Sequence, residues 1–503
     1  MSGAAGTRGL APDFTRVPYH RLADAALTRA AELGVSHADF RYERVRDASW
    51  RLRDARPAGA SDTVTAGCAV RVLHRGVHGF AAASDTTVDA VATAVRRAVA
   101  AAERAAALTP ARVTPAPEPS HGELTWIAPY GTDPFDVPAH ETTAVLAERS
   151  GRLLAAPGVR HADAALQAVR ESKFYADTSG TRVTQQRVRV LPEFTAHAPD
   201  PATGELVSLR TTAPSTGRGW EYLTGTGWDW GTELAELPGL LAEKARSPEV
   251  VPDVYDLVVD PTNLWLTLHE TVGHATELDR ALGHEASFAG TSFATPDLLG
   301  TLHYGSPLMH VTADRTTPHG LATVAHDDEG VAAQRWDLIR AGVLTGYQTD
   351  RTTAARAGLP RSGGCAFAGA YDQIPLQRMP NVSLSPAPDG PDTAGLIAQV
   401  EDGLYVVGDD SWSIDTRRLN FQFTAQRVHR IRSGRLTGQV RGAAYQSTTT
   451  GFWRSLAALG GPRTQLLCGA FHCGKGQPVQ VAPAGHSCPS ALFRRVPVLS
   501  ART

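Results

Sequence analysis

The sequence predicts an α+β fold, with two smaller α+β segments followed by a larger β-rich domain that carries one prominent helix. Three observations lead there. Helix-like and strand-like patterns alternate through the first half of the chain. Seven prolines between Pro110 and Pro138 separate two such blocks. Beyond Val250, short β-like runs broken by Gly, Asp and Pro surround one well-capped helix.

Taken in order, residues 1–19 read as a polar tail and 20–108 as an N-terminal α+β domain. In that domain His20–Gly34 is an amphipathic helix with Leu22, Ala25, Ala26 and Leu33 on one side. Ala38–Arg53 and Gly67–Ser84 alternate like strands, the second turning near Arg75-Gly76, and Thr86–Leu108 is a long Ala-rich helix. Residues 109–138 are too rich in proline to be helix interior and read as a linker. The central domain, 139–249, has a helix at Ala139–Ala156 and a hairpin from Phe174–Asp177 to Arg182–Val190 turning at Thr178-Ser179-Gly180. It closes with a short helix at Pro238–Arg246. The third domain, 250–485, opens with a strand at Val254–Val259. Asp260-Pro261 then supplies an N-cap and a proline at the first helical position for a helix over Thr262–Leu282. Leu338–Gln348, Gly403–Val407 and Gly438–Ala444 are typical of the β-like remainder, and 486–503 reads as a tail.

Composition removes several function classes. At 42% hydrophobic and 20% charged residues, the chain is too apolar to be disordered. The 49 basic and 51 acidic residues leave a net charge of −2, which argues against wide contact with nucleic acid or an anionic membrane. No run of about 18 apolar residues occurs, and Met1–Tyr19 has no apolar core of a secretory signal. Five cysteines, an odd number, do not form a disulfide framework, so a reducing cytoplasm is the expected setting.

The chemistry concentrates on the third domain's helix, in His269-Glu270-Thr271-Val272-Gly273-His274, an HExxxH pattern. A metal hydrolase needs neutral imidazoles to hold zinc and a nearby carboxylate to take a proton from water. Histidines four residues apart lie about 40° apart on a regular helix, but five apart they diverge by about 140°. A π-bulge would absorb the extra residue, or Gly273 would let the helix bend; the bulge is favoured because such bulges gather at functional sites. The plain alternative makes both histidines ordinary hydrogen-bonded helix residues. Glu277 is either a third ligand, an orienting carboxylate or a solvated charge. The distant segment Cys468–Gln477 offers soft ligands beside glycines. Two further readings of it are a separate knuckle from Cys468, His472, Cys473, His486 and Cys488, and an inert cysteine cluster. Cys68 and Cys365 read as core or loop residues.

HETVGHATELD at 269–279, His326-Asp-Asp-Glu-Gly330, Leu338–Tyr347, Arg378-Met-Pro-Asn381 and Cys473-Gly-Lys-Gly-Gln477 fall in an order that resembles the TldD/PmbA family of peptidases, in its catalytic form. The resemblance in layout runs over roughly 20–485, with the specific motifs in 254–480. It implies that His269, His274 and Cys473 bind zinc with a fourth position left for water, and that Glu270 is the general base. It also implies a dimer, of identical chains or with a related subunit lacking the metal helix, and substrates that are unfolded or short peptides in extended form. The chain departs from the family at Ser362–Ala366, at Arg417–Phe421 where a glycine-rich approach is replaced, and after Gln477. These departures leave the proposed ligands untouched but bear on substrate choice. They motivate a rival reading, a pathway-dedicated amidase or peptidase that matures a modified peptide or small natural product. A second rival is a non-catalytic partner subunit, against which the intact His269-Glu270-His274 set speaks. A thiolate ligand makes a weaker Lewis acid, which suits a slow, selective peptidase. Glycine-flanked strand edges offer an extended peptide backbone pairing. His310, His319 and His326 are relay candidates or structural residues, and Asp327, Asp328 and Glu329 either line a channel or cap a turn.

Overall fold

The computed structural model describes residues 9–501, and it is mixed α+β throughout. Seven strands form the first sheet: β1 (His37–Arg53), β2 (Arg56–His74), β3 (Val77–Ala83), β4 (Glu123–Ile127), β5 (His161–Asp177), β6 (Arg182–Pro199) and β7 (Leu206–Arg210). Their order is β3-β2-β1-β5-β6-β4, with β7 also on β6. The two α+β segments therefore share one sheet, because β1 pairs antiparallel with β5 from Asp39 to Arg53. The proline-rich stretch between them is more than a linker: Glu123–Ile127 within it pairs parallel with β6.

Alternation along these long strands explains the packing. Even-numbered residues turn to the helices. At one end Phe40, Tyr42, Val70, Val72 and Phe174 form a core with helices Tyr19–Glu32 and Val88–Leu108. At the other, Leu166, Val190 and Phe194 pack under helices Ala139–Leu154 and Trp230–Arg246. The latter helix starts eight residues before Pro238, capped by Asp229, whose carboxylate accepts the Thr232 N–H, so Pro238 lies in its interior. Residues 1–8 of the expected polar tail lie outside the described residues; Phe14, in a short helix at Pro12–Thr15, is fully buried in the first core. Odd-numbered residues on the other face are charged and also buried: Asp39, Arg41, Glu43, Arg71, Glu171, Lys173 and Arg187 meet the third domain.

In the third domain β8 (Asp253–Val259) lies between Asp402–Ile414, parallel, and Ala491–Ser500, antiparallel. Ala443–Thr448 and Asn420–Arg432 continue the sheet, and Asn420–Arg432 pairs back onto Asp402–Ile414, closing a ring. A second sheet runs in the order Val343–Leu344, Arg335–Arg340, Val311–Asp314, Asn381–Leu384, Gln480–Cys488, Leu466–Lys475. Residues 486–503 are thus no tail within the described chain. Phe493, Val496 and Val498 are buried from a strand inserted beside β8, where their apolar side chains fill the ring's core. Among the described residues no helix is long and apolar enough to cross a membrane.

Candidate metal centre

The Asp260 carboxylate accepts the Thr262 N–H at 3.0 Å, and Pro261 starts the helix at once. The α-helix runs only from Pro261 to Leu268, shorter than the span to Leu282 that the periodicity suggests. A π-turn over His269–Gly273 follows, then a 3-10 turn over His274–Thr276. The His274 N–H donates to the His269 carbonyl, an i→i+5 bond that absorbs the extra residue of HExxxH and brings the two imidazoles together edge to face, centroids 4.6 Å apart. Gly273 packs against the Met379 side chain: a Cβ would stand 2.5 Å from its sulfur, so a larger residue would require that side chain to move.

Cys473 reaches the same point from Leu466–Lys475, where a register shift between Ala470 and Cys473 re-aims the strand. One donor atom from each of His269, His274 and Cys473 lies within 4.8 Å of the others, and all three residues are buried. Cys473 Sγ is 3.5 Å from His274 Nε2. Burial pushes the thiol up, but His274 and Arg378 more than offset it and hold Cys473 below the ordinary thiol range.

The hydrogen bonds fix which imidazole nitrogens are free. His486 Nδ1 lies 3.1 Å from the Val382 carbonyl, which can only accept, so the proton is on Nδ1 and Nε2 is an acceptor. His269 Nδ1 is 2.7 Å from that Nε2 and must donate to it, leaving the His269 Nε2 lone pair for a ligand. Burial lowers the pKa of both His269 and His486, in keeping with neutral rings. His274 Nδ1 bonds Glu277 Oε2 at 2.8 Å, which leaves its Nε2 toward Cys473. Glu277 is therefore an orienting carboxylate behind His274, and it also accepts from Arg280 and Lys475. Burial would raise the Glu277 pKa, but Lys475, His274 and Arg280 draw it well below the usual range. Two imidazole lone pairs and a low-pKa thiol are the donor chemistry zinc takes, so the residues fit the ion.

Glu270 follows His269 on the π-turn and faces a cavity of about 480 Å³. The cavity is lined by His269, Glu270, His274, Cys473, Trp265, Trp412, Phe471 and Arg418, among others. Burial raises the Glu270 pKa; His274, His269 and Arg418 outweigh it, so the side chain is held as a carboxylate. Arg418 Nη1 donates to its Oε2 at 2.6 Å.

The separate knuckle does not assemble. Cys468 and Cys488 are buried thiols pushed up by burial, and His472 sits on the surface side, 2.8 Å from Gln167 Oε1. Cys68 and Cys365 are free and buried, as are all five cysteines. His310 is exposed, and His319 and His326 do not line the cavity. His326 is buried with neither ring nitrogen bonded and is pushed down to about 4 by burial. Asp327 caps a turn, accepting from the N–H of Glu329 and Val331 at 2.9 Å each. Asp328 and Glu329 pair with Lys173 and Arg71 of the first sheet, away from the cavity. Sequence reading missed His486 as His269's partner and Arg418 as Glu270's. Only the chain's fold brings those pairs together, across 217 and 148 residues.

Fold and site together define an α+β protein with a buried centre of two histidines and a cysteine, of the kind that holds a transition metal. The chain belongs to the PmbA/TldD family: residues 252–500 match the PmbA/TldA metallopeptidase C-terminal domain and 38–102 match the PmbA/TldA metallopeptidase domain 1. It is similar to a metalloprotease of Methanothermobacter thermautotrophicus, 26% identical over 456 residues, covering 90% of this chain and 93% of that one. It is also similar to a zinc metalloprotease TldD homolog of Saccharolobus solfataricus, 24% identical over 256 residues, covering 50% and 54%. The fold is shared with a solved Thermotoga maritima protein described as a candidate modulator of DNA gyrase, with a TM-score of 0.76 at 15% identity, covering 96% of this chain and 100% of that one.

Proposed function

We propose that the chain is a zinc-dependent peptidase that hydrolyses peptide bonds in short or unfolded peptides, in a reducing cytoplasm. The observation that carries this reading is the convergence of His269, His274 and Cys473 within 4.8 Å, on the wall of the cavity that also holds Glu270. His269, His274 and Cys473 would hold the ion, and bound there it supplies Lewis acidity. Glu270, anionic and on the same wall, accepts the proton of the attacking water and returns it to the leaving amine. Trp265, Trp412 and Phe471 give the cavity apolar wall area against which a peptide's side chains pack. Leu466–Lys475 is the last strand of its sheet and lines the cavity from Cys468 to Gly474, so its free edge offers an extended peptide backbone pairing.

The test is metal content and hydrolysis of a panel of unstructured peptides by wild type and Glu270→Gln. Stoichiometric zinc in both, with turnover reduced at least about 100-fold in Glu270→Gln, is the expected result. Full turnover by Glu270→Gln would sink the mechanism. A Cys473→Ser protein that keeps its zinc would count against that ligand.

A further inference from the structure

Arg418 occupies an unusual place in the backbone. Its φ is 61°, in the left-handed region that glycine adopts freely and arginine rarely does. The loop is built to hold it so. The Asp415 carboxylate accepts the N–H groups of Arg417, Leu419 and Asn420 at 2.9–3.0 Å. Arg418 N–H donates to the Asp415 carbonyl at 3.0 Å, and the Arg418 carbonyl accepts the Thr449 hydroxyl at 2.6 Å. Thr291 and Phe293 add N–H bonds to the carbonyls of Thr416 and Arg417 at 2.7 and 2.9 Å. These contacts fix the backbone at Arg418, and with it the direction in which the side chain leaves the loop.

That side chain reaches the cavity beside Glu270. Nη1 bonds one Glu270 oxygen, Nη2 the Ala289 carbonyl at 3.2 Å, and Nε has no partner. A guanidinium offers paired N–H groups that suit both oxygens of a carboxylate at once. With Glu270 it uses one oxygen, so its fork is incompletely matched. The other guanidinium on this wall, Arg210, is already shared by Glu193 and Asp409.

We propose that Arg418 reads a carboxylate on the substrate beside the scissile bond, a C-terminal or an acidic side-chain carboxylate, and exchanges Glu270 for it as the peptide enters. The exchange frees the Glu270 oxygen for water and fixes the peptide's register. This deepens the peptidase reading and rests on it.

The experiment is calorimetric binding to the zinc-loaded protein of an acetylated Ala/Ser peptide in which one amide is replaced by a neutral, uncleavable alkene, in three forms. One form is amidated, one has a free C-terminal carboxylate, and one is amidated with an internal Glu. Wild type is expected to bind at least one carboxylate form about tenfold more tightly than the neutral form, and which one identifies the source. Arg418→Gly, which suits the backbone, should lose the preference, so that its carboxylate and amidated forms bind within about twofold of one another; Arg418→Lys should keep part of it. Absence of a preference in wild type, its persistence in Arg418→Gly, or an equal loss for all three forms would each overturn the proposal. If Arg418→Gly does not fold, an unchanged preference in Arg418→Lys with an intact melting temperature does the same. Should wild type cut no peptide yet prefer carboxylates, the peptidase reading falls and the Arg418 site stands. Should it cut neutral and acidic peptides with equal KM, the reverse holds.

Discussion

His486 gives His269 what Glu277 gives His274, a fixed proton on Nδ1 and a free Nε2, but by different chemistry. Glu277 is charged, and it belongs to a buried set in which Lys475 bonds Glu277 at 3.1 Å and Asp279 at 2.8 Å. His486 is neutral and passes the orientation of the Val382 carbonyl on to His269. Partners of this kind set ligand orientation and basicity, and losing one costs about 10–100-fold in metal affinity. His486→Ala should therefore lower zinc affinity by that factor, measured by chelator competition, and leave hydrolysis at saturating zinc within about tenfold of wild type. Unchanged affinity would mean that His269 holds its tautomer without help. Glu277→Gln keeps the shape but removes the charge facing Lys475 and Arg280. Because a buried cation then loses its partner, the variant should lose both zinc affinity and about 3 kcal/mol or more of stability, read from its melting temperature.

Two loops meet over Glu270, and their junction is a backbone zipper. Gly290, at φ 85°, lies so close to the other loop that a Cβ would stand 2.1 Å from the Thr416 carbonyl oxygen. Gly290→Ala would combine that clash with a strained φ, costing about 1–3 kcal/mol and pushing the Thr416–Arg418 segment away. The expected outcome is a clear fall in kcat/KM with zinc content unchanged, measured on one preparation; a parallel loss of zinc would show that the loop supports the ligands too. Such junctions bear on how legible the chain is. The Asp260-Pro261 start of the helix, the hairpin turn at Arg75-Gly76 and the pairing of His269 with His274 are local events, so residue type and spacing announce them. The favoured bulge in HExxxH is the π-turn of the structure for the same reason, a local mismatch of five residues against the helical period. Arg418 and His486 were out of reach because nothing in their own neighbourhoods records that Glu270 and His269 lie opposite. The strand Ala491–Ser500 was missed because its partner, β8, lies more than 200 residues earlier.

On the scale of the whole molecule, the charged face of the first sheet is the least expected feature. Its residues alternate with core residues along β1, β2, β5 and β6, the pattern of a sheet with one wet side, yet the third domain covers that side. Arg71 bridges Asp39 and Glu329 at 2.8 and 2.6 Å, and Lys173 bonds Asp328 at 2.9 Å, so these ion pairs join the domains. Glu43 is the poorest match among them. It stands 3.5 Å from Arg41 and 3.6 Å from Lys173, and neither of its oxygens accepts a hydrogen bond. Burial therefore pushes it up to about 7, although Lys173 and Arg41 pull the other way. An unfolded glutamate titrates near 4.3, so between about 4.3 and about 7 the folded protein holds more protons at this site. Glu43 thus subtracts stability as pH rises through that window, and the deficit is complete above about 7. Glu43→Gln stays neutral, so it should match wild type near pH 4 and exceed it above about pH 7 by on the order of 1–3 kcal/mol. The two proteins must be compared at each pH. His37, His78 and His326, all held near 4, add a slope of opposite sign up to about 6.5 that both proteins share. Melting temperatures of wild type and Glu43→Gln at intervals from pH 5 to 9 give the difference curve directly. A gap that widens with pH fits a buried, poorly paired carboxylate at the domain junction; a constant gap, or one that reverses above pH 7, would mean that Lys173 and Arg41 hold Glu43 ionised throughout.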